Sequence, residues 1–94
     1  MTILTKVVDG TVSKLGSFEN GNEAFELMIK DFLKEAGVDN IPEHINKNFD
    51  YNELEDLVTN YEIDTEYGYN DGEENSFFLS KGASNYYWHL SYEE

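Results

Sequence analysis

From Asp50 to Glu74 the chain carries ten acidic residues and no basic one. A carboxylate taken out of water without a partner is strongly penalised, so such a run cannot supply a core. It can enter only elements that turn one side to solvent: an amphipathic helix, a half-buried strand or a polar turn. The remainder of the chain does not balance this segment. Over 94 residues there are twenty acids, six Lys and no Arg, a formal net charge of −14. Residues 1–47 hold eight acids and five Lys, whereas residues 48–94 hold twelve acids and the single base Lys81.

The apolar pattern around this run specifies an α+β domain. Ile3 to Val8 and Thr11 to Leu15 are β-branched runs separated by Asp9-Gly10. That dipeptide tolerates the positive φ of a two-residue hairpin turn and sets Val7 opposite Val12. Phe25, Met28, Ile29, Phe32, Leu33 and Ala36 then recur at helical spacing. Asn20 and Glu23 form a capping-box pattern, with Asn22 as a second candidate cap, and Gly37 marks the stop. Glu26 and Lys30 make a favourable i, i+4 pair on this helix.

Residues 38–49 form a connection around Ile41-Pro42, and a short helix is expected from Asp50, with Glu53 as its capping partner. Leu54, Leu57, Val58 and Tyr61 give that helix a buried side; Asn52, Glu53, Glu55, Asp56 and Thr59 give it a negative one. Residues 61–69 alternate as a strand, with Ile63, Thr65 and Tyr67 on one face and Glu62, Asp64 and Glu66 on the other. Strands over 76–80 and 86–92 follow, each after a turn. The expected fold is α+β: an N-terminal β-hairpin, two helices, and a C-terminal three-stranded antiparallel meander in a single domain spanning 1–94.

The same residues exclude several function classes. With no Cys there is no disulfide, zinc ribbon, iron–sulfur cluster or thiol nucleophile, and that absence is compatible with a reducing cytosol. The start, Met1 to Lys6, lacks the basic and apolar regions of a signal peptide. The expected setting is the cytoplasm. His44 and His89 fall in no metal-ligand spacing, and the alternate positions before Gly72 include Tyr69 and Tyr67 rather than oxygen-rich calcium ligands. No Gly-x-Ser-x-Gly elbow or phosphate-binding loop is present. No enzyme activity and no cofactor is expected.

Charge also limits partners. Nucleic acids and anionic membranes are bound by Lys and Arg, and this chain has the wrong sign for both. Tyr86-Tyr87-Trp88 could stack bases, but stacking platforms lie in positive grooves, and this half of the chain is strongly negative. Trp88 and Leu90 are expected in the core, with Tyr87 and Tyr92 divided between core and interface. A solvated acidic surface that keeps a small protein dissolved is the plain reading of the excess charge.

The sharper reading rests on spacing. Same-face residues on a strand lie about 6.6 Å apart. Phosphates rise about 3.4 Å per nucleotide and wind around the axis, so their through-space separation is on the order of 6–7 Å. Glu62, Asp64 and Glu66 can therefore approximate a row of phosphates. Asp50, Glu53, Glu55, Asp56, Asp71, Glu73 and Glu74 extend the row from the neighbouring helix and turn. Because Arg is absent, Tyr67 and Tyr69 are expected to supply the apolar part of the contact.

In size, acidity, Tyr and Phe richness and α+β pattern, the chain resembles the small acidic DNA-mimic inhibitors of phages and mobile elements, the anti-CRISPR and antirestriction proteins and the uracil-glycosylase inhibitors. The resemblance implies a non-catalytic inhibitor whose partner is a basic nucleic-acid-binding protein, a host nuclease or CRISPR effector, engaged through its Lys/Arg-lined groove. It implies no direct contact with nucleic acid. The alternative is an immunity protein or antitoxin that neutralises a cognate basic toxin.

Overall fold

The computed structural model describes residues 1–45, 51–58, 65–69 and 75–92. In chain order its elements are β1 (Thr2–Val8), β2 (Thr11–Phe18), α1 (Gly21–Ala36), α2 (Tyr51–Val58), β3 (Thr65–Tyr69), β4 (Ser76–Lys81) and β5 (Ser84–Tyr92). The class is α+β: the described residues form one five-stranded antiparallel sheet and two helices.

Asp9 at φ 48° and Gly10 at φ 89° make the tight turn between β1 and β2, and Val7 does face Val12. β2 runs beyond Leu15 to Phe18 because the register shifts: Leu4 pairs with Gly16 but Thr5 with Lys14, so Leu15 is an extra, bulged residue. A strict two-residue period stops at this point. The bulge turns Phe18 onto the same face as Leu4, where it packs against the core.

The strand arrangement differs from a separate hairpin and meander. β5 returns beside β1, giving the order β2-β1-β5-β4-β3 in a continuous sheet. A two-stranded hairpin is marginal by itself, and pairing with β5 gives Leu4 and Lys6 cross-strand neighbours in Leu90 and Trp88. The third strand comprises Thr65–Tyr69, and the expected residues 61–64 lie outside the described ones.

Leu4, Phe77, Leu79, Trp88 and Leu90 form the covered face of the sheet, under the apolar stripe of α1. Phe32 sits at the centre of this layer, fully buried. Its ring lies 4.7 Å from Phe77, 5.3 Å from Tyr67 and 6.1 Å from Trp88. Phe77 and Trp88 meet it edge-on, a geometry that adds to the area buried by each ring. Val38, Ile45, and Leu54 and Val58 of α2 complete the same core.

The ends of α1 follow from two residues. Asn20 is the N-cap, and its side chain accepts the Asn22 N–H rather than that of Glu23. At the other end Gly37 takes a left-handed φ of 90°, donating to Lys34 O, while Val38 donates to Leu33 O. This pair of bonds satisfies the last carbonyls and carries Val38 back into the core. No helix among the described residues is long and apolar enough to cross a membrane.

Candidate functional site

The charged residues fall into two environments. On the α1 side, Asp31, Glu35 and Glu26 are each paired with a Lys. Lys6 lies on the covered face of β1, aligned with Leu4, and its Nζ reaches Asp31 at 2.8 Å and Glu35 at 3.1 Å. Asp31 and Glu35 are one helical turn apart, so both carboxylates face the same amine. The Lys6 amine also stands 5.7 Å from the Trp88 ring centre and 5.8 Å from that of Tyr86. Burial works against its charge, but the hydrogen bonds it donates to Asp31 and Glu35 outweigh that penalty and raise its pKa above the ordinary 10.5. Trp88 Nε1 donates to the same Asp31 oxygen at 2.8 Å.

Elsewhere on α1, Lys30 pairs with Glu26 at 2.8 Å and donates to the Glu43 carbonyl. The Lys30 hydrogen bond holds the Glu26 carboxyl below its ordinary range. Lys81 donates to the Glu35 carbonyl. Lys6, Lys30 and Lys81 are thereby engaged with α1 and the loop after it.

The second environment is α2. Leu54 and Val58 are buried and Leu57 is half-buried, which fixes the rotation of the helix. At 100° per residue, Asn52, Glu53, Glu55 and Asp56 then occupy an arc of about 160° on the opposite side. All four are exposed. Glu53 lies in the first turn, where a carboxylate favours the helix dipole. Glu53 and Asp56 are three apart, so their Cβ atoms stand about 5–6 Å from each other.

On β3, Glu66 is exposed and Tyr67 and Tyr69 point to the other face. Their rings pack against the core, Tyr67 on Phe32 at 5.3 Å and Tyr69 on Phe77 at 5.2 Å. Both tyrosines are half-buried, and the structure does not bring them to the side that Glu66 presents. Asp50, Glu62, Asp64, Asp71, Glu73 and Glu74 lie outside the described residues.

Aromatic residues of β5 do not form a shared platform. Trp88 is wholly buried and Leu90 nearly so, whereas Tyr92 is 77% exposed. Tyr87 stacks on His89 at 6.2 Å on the face away from α1. A shallow pocket of about 330 Å³ opens between Thr2, Phe25, Leu90 and Tyr92, and no carboxylate, His or Lys lines it.

The cluster of Lys6, Asp31, Glu35 and Trp88 is a feature that sequence reasoning missed. Its signal was the parity of β1, which places Lys6 with Leu4. Comparison with protein-family models, curated proteins and solved structures gives no match.

Proposed function

We propose that the protein is a non-catalytic inhibitor that places a row of carboxylates in the nucleic-acid groove of a nuclease or CRISPR effector, acting as a DNA mimic in the cytoplasm of a host cell. The observation that carries this reading is the outward side of α2. Glu53, Glu55 and Asp56 are held in solvent by the burial of Leu54 and Val58. They belong to the only long stretch of the chain that has ten acids and no base. Like charges at helical spacing repel one another. Opposite a Lys/Arg-lined groove the same repulsion is relieved, because each acid meets a base. Separations of about 5–6 Å between i and i+3 positions approach those of successive phosphates.

The test begins with capture of the partner from host lysate on the immobilised protein. The captured nuclease is then titrated against labelled duplex in a mobility-shift assay, with and without the inhibitor. Displacement of the labelled duplex is the expected result, with excess duplex displacing the protein from the nuclease and salt weakening the protein–nuclease complex. A ternary complex with the duplex still fully bound overturns the proposal and favours an immunity protein seated away from the active site.

A further inference from the structure

We infer that Glu26 is a positioning residue: from the second turn of α1 its carboxylate latches the loop that leads into α2, and so sets where the acidic side of α2 stands. The value of that placement for binding rests on the inhibitor reading; the latch itself does not.

Three consecutive loop residues, Glu43, His44 and Ile45, converge on one turn of α1. Glu26 and Lys30 pair across that turn at 2.8 Å. Lys30 Nζ donates to the Glu43 carbonyl. The Ile45 backbone N–H donates to the Glu26 carboxylate, and His44 Nδ1 stands 3.9 Å from Glu26 Oε1. The contacts are complementary: the amine of α1 takes a loop carbonyl, and the carboxylate of α1 takes a loop N–H. An ammonium only donates and an ionised carboxylate only accepts, so neither side chain can serve both loop groups. Ile45 is buried, and a buried N–H requires an acceptor.

α2 depends on such a fixed point. It has eight residues, too few to hold a helix in water without packing. Leu54 and Val58 join the core cluster that contains Ile45. Those contacts decide which side of α2 faces out, but not the point from which the chain enters it. Ile45 precedes Tyr51 by six residues, a tether that spans at most about 20 Å. Holding Ile45 therefore restricts where α2 can begin. Glu26 belongs to α1 and not to the outward row of Glu53, Glu55 and Asp56, so its effect on binding is separable from theirs.

Two measurements on the free chain test the latch without any partner. In hydrogen exchange, the Ile45 amide should be protected in the natural chain and lose that protection in Glu26→Ala. Glu26→Gln, whose amide oxygen still accepts, should keep part of it. The urea midpoint should move little in both variants, because the Glu26–Lys30 pair is partly exposed. Unchanged Ile45 protection in Glu26→Ala overturns the latch. The chain has no Cys, so Asn22→Cys and Asn52→Cys place spin labels on exposed positions of α1 and α2. Their distance distribution should be narrow with Glu26, broad with Glu26→Ala and intermediate with Glu26→Gln. A distribution that stays narrow in Glu26→Ala overturns its control of α2.

Binding to the captured nuclease tests the consequence. Affinity should fall in proportion to the fraction of chains that leave the narrow label distance, because only the placed form is competent. Glu26→Ala and Glu26→Gln remove the same charge, so charge number alone predicts equal losses. The latch predicts a greater loss for Glu26→Ala and partial rescue by Glu26→Gln. Glu19→Gln, at an exposed acid outside the latch, gives the reference for removing one charge. Equal losses in all three variants overturn the positioning role and leave the inhibitor reading standing. Failure to capture any nuclease overturns the inhibitor reading instead, and exchange and label distance then decide the latch by themselves.

Discussion

Trp88 Nε1 donates to Asp31 Oδ2 at 2.8 Å, tying the middle of β5 to the middle of α1 across the core. The same carboxylate oxygen receives Lys6 Nζ from β1 at 2.8 Å. One side chain thereby joins two neighbouring strands to the helix that covers them. A hydrogen bond to a charged group contributes about 1.5–3 kcal/mol, more than a neutral one. Trp88→Phe should therefore destabilise by about 2–4 kcal/mol, combining the lost bond with a partly emptied site. Asp31→Ala should cost more than Asp31→Asn, because the amide oxygen still accepts from the indole. Urea unfolding of both single variants and the double variant measures the coupling. A coupling near zero would show that the bond contributes nothing to the fold.

The Lys6 amine gives the stability a defined alkaline edge. Burial opposes its charge, yet Asp31 and Glu35 raise its pKa above 10.5. A group whose folded pKa lies above its unfolded value stabilises fully below the unfolded pKa. That contribution is lost as pH rises through the folded value. Near-neutral pH should leave the Lys6 contribution intact, and it should decline at pH above about 10.5. Alkaline pH acts on more than one group, so the informative quantity is the difference between the natural chain and Lys6→Met. That difference should shrink as pH rises through the alkaline range. A constant difference from pH 8 to 12 would detach Lys6 ionisation from the fold.

Much of this architecture is readable from local pattern. Asp9-Gly10 fixes the hairpin, and Asn20, Gly37 and the Phe25–Ala36 stripe bound and orient α1. What local pattern lacks is the pairing of β1 with β5, nearly the full length of the chain apart, which depends on the covered faces of both strands meeting α1. The bulge at Leu15 hides the end of β2 because it breaks the period of two. Lys6 reads as a solvated residue until β1 is set beneath α1, where Asp31 and Glu35 compensate its burial. In the candidate site, the outward acids of α2 are legible because helical period and burial of Leu54 and Val58 agree. The absence of Arg points to Tyr67 and Tyr69 as the apolar part of a contact, but strand parity sets Tyr67 on the face opposite Glu66 and against the core.

Salt should stabilise the free protein. The ten acids of residues 50–74 have no base among them, and exposed Glu53, Glu55 and Asp56 share one helix. Their mutual repulsion is screened as the Debye length falls from about 30 Å at 0.01 M to about 8 Å at 0.15 M salt. The melting temperature should therefore rise over that interval. It should rise less in the variant carrying Glu53→Gln, Glu55→Gln and Asp56→Asn together. Calorimetry of both chains across that interval gives the comparison. A flat or falling curve would mean that attraction among charges outweighs repulsion in the folded chain.

Partner binding should depend on the number of charges rather than on one anchor. The chain has no Arg, the most frequent charged hot-spot residue, and Trp88 is wholly buried. Affinity must then be shared among carboxylates, each exposed ion pair contributing about 0–1 kcal/mol. Glu53→Gln, Glu55→Gln or Asp56→Asn alone should weaken binding by less than about fivefold. All three together should weaken it by one to two orders of magnitude, with a shallower salt dependence because fewer charges meet the groove. The Leu54 and Val58 contacts that hold α2 are untouched by these changes, so the triple variant should keep its circular dichroism spectrum. Calorimetric titration of the captured partner with each variant gives the comparison. If one substitution abolishes binding while the other two are silent, a single buried contact governs recognition. If the folded triple variant binds as tightly as the natural chain, the α2 face is not the contact.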